Sequence, residues 1–210
     1  MKKINFIIMA LLAISVSTNA SLYKVHYDKL VANIEAKGTK SVSIATLDHR
    51  AKIQKEGSSP DCVGYVRSTV GIPYSLETKS KKPFSDDVSS SINESFAKKG
   101  FKCSVTTTTP NDSANIVVDK LKNSGSDISI LLVTNLWWTD THMATLLEYD
   151  VTVNVYDKSG NLLVSKNFTE SSKGLGVNIW GNEYQKNIPN GFTEALERFF
   201  NDPEIKKVLE

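Results

Sequence analysis

VGYVRSTVGIPYSLETKSKKPFSDDVSSSINESFAKKGFKCSV, residues 63–105, is the stretch from which the fold is read. Val63, Tyr65, Arg67 and Thr69 alternate with Gly64, Val66, Ser68 and Val70, a β-rich run stopped by Gly71 and Pro73. Ser85 is placed to cap a following helix, and Asp86 and Asp87 fall where the helix dipole favours negative charge. Val88, Ile92 and Phe96 recur every fourth residue and make one apolar face. Lys98, Lys99 and Gly100 close the helix with cations at its carbonyl end and a residue that tolerates a left-handed cap. The pattern predicts a β-α-β unit with parallel strands, joined by a right-handed crossover.

Outward from this unit, the first twenty residues read as a secretory leader. Lys2 and Lys3 precede an apolar run over 6–16, and small residues Thr18 and Ala20 set a cleavage point before Ser21. The run is too short for a bilayer span of about 20 residues. No Cys stands at Ser21, which excludes the acylated-lipoprotein route. The expectation is a periplasmic or secreted chain without a membrane anchor, 1–20 being leader and 21–210 one α/β domain. The full chain carries 25 Lys and Arg against 23 Asp and Glu, and the leader holds two of those lysines and no acid. The remainder balances, so bulk charge gives no ground for a nucleic-acid partner.

Cys62 and Cys103 open the two predicted strands of the β-α-β unit. If those strands are neighbours, the Cα atoms come within reach of a disulfide, and an oxidising compartment permits one. Closing a loop of that length would contribute roughly 4 kcal/mol. Two separate thiols are the alternative.

The rest of the chain supplies the other layers. Tyr23, Tyr27, Leu30, Val31 and Ile34 predict an amphipathic helix over 21–41, packed on the body or offered to a partner. A strand is expected over 42–47, a polar surface loop over 51–61, and a helix capped by Asn111 or Asp112 with Ala114, Val117, Val118 and Leu121 inward. Residues 127–136 are apolar on both sides and predict an interior strand. Trp137 to His142 reads as an interruption. After it comes an alternating strand over 143–156, a hairpin turn at 157–160 and a return strand over 161–169. A long loop over 170–189, a helix carrying Phe192, Ala195, Leu196, Phe199 and Phe200, and a polar tail from Asp202 complete the reading. The fold class is an α/β (α+β) sandwich: a mixed sheet of about five to six strands, helices mainly on one face, a β-α-β unit and a C-terminal β-hairpin.

Catalytic patterns are weak. There is no G-x-S-x-G elbow or Walker pattern, and the glycine-rich 173–181 follows a hairpin instead of opening a helix. Asp48, His49, Asp140 and His142 lack metal-ligand spacing, and Asp48 or Asp140 is better matched to Arg50 or Arg67 as an internal ion pair. No catalytic residue, metal or cofactor is assigned. Trp137, Trp138 and Trp180 serve either as packing or as a recognition surface.

The segments VGYVRSTVGIPY, PFSDDVSSSINESFAKKGF and NLWWTDTHMATLLEYDVTVNVYDKSG resemble the YajG-like envelope proteins. The resemblance implies export in a Gram-negative bacterium and a small α/β domain of the kind found in envelope accessory subunits. It implies no catalytic residues. YajG itself is a lipoprotein, whereas Ser21 occupies the position a lipid-bearing Cys would need. The functional expectation is a non-enzymatic accessory or adaptor protein making contact with an envelope protein. Its expected surface is Gly71, Pro73, Tyr74, Trp137, Trp138, Asp140 and His142. The alternative is a glycan, lipid or other small ligand held by loop tryptophans.

Overall fold

The structure, a computed structural model, describes residues 22–210; the expected leader lies outside them. Eight strands form one mixed sheet: β1 (Tyr23–Val25), β2 (Ser41–Asp48), β3 (Cys62–Arg67), β4 (Pro73–Thr78), β5 (Lys102–Val105), β6 (Ile128–Thr141), β7 (Ala144–Asp157) and β8 (Leu162–Val177). Five helices accompany it: α1 (Ala51–Gln54), α2 (Phe84–Ala97), α3 (Ala114–Asn123), α4 (Tyr184–Phe200) and α5 (Pro203–Leu209). The α/β class and the C-terminal hairpin are as the pattern predicts; the sheet is larger than expected.

The sheet is built on β6. One edge of β6 pairs with β7 along its whole length. The other edge is divided: residues 128–134 pair in parallel with β2, and 139–141 pair in parallel with β3. The sheet therefore forks, with β5 beyond β2 on one branch and β4 then β1 beyond β3 on the other. Between the branches this second edge of β6 has no strand neighbour among the described residues, and buried carbonyls there must find another donor. Arg50 supplies it. Its Nη1 donates to Cys62 O at 2.8 Å and Trp137 O at 3.5 Å, and its Nη2 donates to Pro60 O at 3.2 Å. The Asp48 carboxylate accepts Nε at 2.8 Å and Nη2 at 2.7 Å, both side chains being 2% exposed. This is the internal ion pair expected from sequence, placed at the crotch of the fork. Gly64 makes the second branch possible: a Cβ there would stand 2.1 Å from Thr139 O.

The fork separates the two strands of the predicted β-α-β unit: β3 and β5 are parallel members of one sheet joined through α2, as expected, but they are not neighbours. β3 runs into an antiparallel hairpin with β4, and β5 joins the sheet beside β2 on the other branch. Cys62 and Cys103 are free thiols, not a disulfide. The register shows why. Cys103 faces Val42, which faces Ile128 at the start of β6, whereas Gly64 faces Thr139 near its end. Cys62, two residues before Gly64, is thus displaced from Cys103 by about nine residues along β6, about 30 Å at 3.3 Å per residue, far beyond disulfide reach.

Five further expectations are corrected. Residues 26–40 contain no helix. Ala32, Ile34 and Ala36 are buried in alternation with exposed Asn33, Glu35 and Lys37, the period of an extended chain. Its N–H groups bond to side chains: Ala32 to Ser95 Oγ, Asn33 to Glu197 Oε1 and Glu35 to Asn201 Oδ1. Helix α2 begins at Phe84 after Pro83, so Ser85 lies within its first turn and does not cap it; α3 is capped by Ser113. The polar tail is α5, capped by Asp202, with Ile205 and Leu209 buried. The long loop is mostly strand and helix, since β8 reaches Val177 and α4 starts at Tyr184.

The main core lies between the sheet and α2, α4 and α5; Val117 and Leu121 of α3 pack on Ala45, Leu47 and Leu131 across the opposite face. A register shift at Asn135 keeps β6 continuous through the tryptophans. It puts Trp137 on the main-core side, stacked on Tyr149 with centroids 5.6 Å apart and packed on Phe84. Trp138 turns to the other side against Tyr65, with Lys52 Nζ 4.6 Å from its ring centroid.

Candidate functional site

Three chain reversals meet at one end of the sheet. Residues 68–72 join β3 to β4, His142 and Met143 join β6 to β7, and 178–183 join β8 to α4. In the first, Gly71 takes a left-handed φ of 86°, Ser68 N donates to Ile72 O at 2.9 Å and Gly71 N to Ser68 O at 2.8 Å. In the second, His142 N donates to Ala144 O at 3.0 Å. The third is tied to the second by Asn178, whose N donates to Met143 O at 2.8 Å and whose Nδ2 donates to His142 O at 3.1 Å. His142 Nε2 lies 3.3 Å from Thr69 O and links the second turn to the first.

The two acids beside these turns are both engaged. Asp140 accepts Arg67 Nε at 2.7 Å and Nη2 at 2.5 Å, so both acids between which the sequence reading left the ion pair open are paired with arginine. That carboxylate raises the pKa of the Arg67 guanidinium above its usual value. Glu183 accepts from the N–H groups of Trp180 at 2.9 Å and Asn182 at 3.2 Å. Those backbone donors hold its carboxyl below the usual range.

With local polarity satisfied, the turns present apolar side chains outward. Val70, Ile72, Met143, Val177, Ile179 and Trp180 are between 53% and 86% exposed. Between them lies a cleft of about 380 Å³ lined by Arg67, Thr69, His142, Asn178, Ile179 and Trp180. A contiguous group of large exposed apolar residues is unusual on a free monomer and marks contact with something else.

Of the expected surface, Gly71, Pro73 and Tyr74 sit on the β3–β4 hairpin, and Asp140 and His142 lie beside it at the same end. Trp137 and Trp138 are not part of it; both are buried. Val70, Ile72, Met143, Val177 and Ile179 were not foreseen. Their signal is an apolar residue among turn formers, in TVGI, HM and GVNIWGN. The metal reading does not assemble: Arg50 and Arg67 occupy Asp48 and Asp140, His49 Nε2 lies 3.4 Å from Asp112 O, and among the described residues no three potential ligands converge.

No family model matches the chain, and no curated protein does. Among solved structures, a Xanthomonas campestris protein assigned to the family model DUF330 is similar over 89% of this chain and 94% of its own, with a TM-score of 0.53 and 13% identity. The likeness is one of fold. A Neisseria meningitidis lipoprotein aligns over 78% of this chain and 99% of its own, with a TM-score of 0.34 and 13% identity. The C-terminal domain of LpoB from Salmonella enterica aligns over 70% and 96%, with a TM-score of 0.34 and 8% identity. These two alignments are too loose to carry an argument. The YajG-like resemblance thus rests on the segments quoted above. Among the described residues no helix is long and apolar enough to cross a membrane.

Proposed function

We propose that this is an exported, non-enzymatic accessory protein of the cell envelope that works by docking the apolar end of its sheet onto another envelope component. The carrying observation is the set of six exposed apolar side chains on three adjoining turns, with the neighbouring acids already paired. The leader-like 1–20 supports export. A partner protein is the occupant expected from the sequence. A bound glycan is a second reading, favoured by Trp180, whose exposed ring borders a cleft with polar groups from Thr69, His142 and Asn178.

Fractionation of cells tests the docking reading. Wild type should sediment with envelopes, and the variant Met143→Ser/Ile179→Ser/Trp180→Ser, with an unchanged melting temperature, should appear in the soluble fraction. Equal distribution of the two proteins would remove the apolar end from the account.

A further inference from the structure

We infer that the surface onto which this end docks is the interface of a lipid bilayer. The inference rests on the docking reading above and names its occupant.

The first argument is shape. The six apolar side chains are spread over three separate turns and the adjoining end of β8, and Met143, Ile179 and Trp180 among them rim the cleft between those turns. Several shallow apolar insertions suit the boundary between headgroups and acyl chains. A protein hot spot, by contrast, gathers its anchors in a packed, desolvated centre.

The second is charge. Residues 68–72, 142–143 and 177–182 contain no Lys, Arg, Asp or Glu. The flanking Asp140 is held by Arg67, and Glu183 is held by backbone N–H groups. Entering the interface would then require no isolated carboxylate to lose its water, a step that costs several kcal/mol or more when a charge is unpaired. Trp180, the most exposed of the six, has the amphipathic ring that favours the membrane–water boundary.

Flotation of the mature chain with vesicles tests this. One set is phosphatidylcholine, and the other adds phosphatidylglycerol. Trp180 emission supplies an independent readout against the buried Trp137 and Trp138. The expected result is co-flotation with both sets, a blue shift of Trp180, and little response to salt, because apolar tips carry the contact. Met143→Ser/Ile179→Ser/Trp180→Ser should lower the bound fraction at least about tenfold. No flotation, together with envelope retention of wild type in cells, would overturn the bilayer as occupant and leave docking onto a protein. No flotation and no retention would overturn both. Flotation unaffected by the triple substitution would place the lipid contact elsewhere and also overturn the inference.

Discussion

Replacing Arg50 by Leu should cost this protein more than almost any other single substitution. Leu fills much of the space beside Phe84, over whose ring the guanidinium lies at 4.8 Å. It supplies none of the donors. The Asp48 carboxylate would be left buried without its counterion, and the carbonyls of Cys62, Pro60 and Trp137 would each lose an N–H. Breaking a buried pair by removing one partner costs about 3–5 kcal/mol. That is a large share of the roughly 5–15 kcal/mol that stabilises an ordinary domain. Arg50→Lys keeps the charge but not the planar fork, so it should lose two or more of these bonds at about 1 kcal/mol each. Urea unfolding of both variants measures the losses. Hydrogen exchange locates them: amides of β3 that pair with β6 should exchange faster, while those between β2 and β5 should change little. A loss below about 1 kcal/mol for Arg50→Leu, or acceleration spread evenly over the sheet, would refute the assignment of Arg50 to the fork.

Gly64→Ala should destabilise by about 2 kcal/mol or more, read by the same unfolding assay, because its Cβ would stand 2.1 Å from backbone at Thr139. Asp87 is buried with neither carboxylate oxygen hydrogen-bonded, and burial pushes its pKa up to about 6. The folded value lies above the unfolded one, so the stability tied to its neutral form is full below about pH 4 and is lost as pH rises through 6. Asp87→Asn should flatten that part of the unfolding midpoint against pH and stabilise the protein at pH 7. Thiol titration of protein purified from an oxidising compartment should find both Cys62 and Cys103 reactive after denaturation, with the melting temperature unmoved by reductant; one disulfide per chain would contradict the strand order.

Much of this fold was legible because periodicity reports burial. Val88, Ile92 and Phe96 mark the buried face of α2, and Leu147, Tyr149, Val151, Val153 and Val155 mark the buried face of β7. What misled was periodicity that fits two structures. Tyr23, Tyr27, Leu30, Val31 and Ile34 match helical spacing, yet 32–36 alternates at period two because Ser95 of α2, Glu197 of α4 and Asn201 just beyond α4 satisfy the backbone. The fork leaves little local signal, since a divided strand edge is a relation among β2, β3 and β6. Its one trace, the Asp48–Arg50 pair, was read correctly as a pair without its architectural meaning. At the candidate site the hairpin, Asp140 and His142 were legible as strand-end residues. Trp137 and Trp138 were not, because β6 continues through them past the register shift at Asn135, and the pleat then buries the two rings on opposite faces of the sheet.

Photo-crosslinking in living cells tests the central claim most directly, with the reactive side chain placed at Trp180 and, for comparison, at Ser165 on the exposed hairpin strand β8. The account predicts strong adducts from position 180 and few from position 165. Lipid adducts would place the apolar end at the bilayer, and a single protein adduct would identify a protein partner there. Equal labelling from both positions, or none from 180, would contradict the assignment of docking to this end of the sheet.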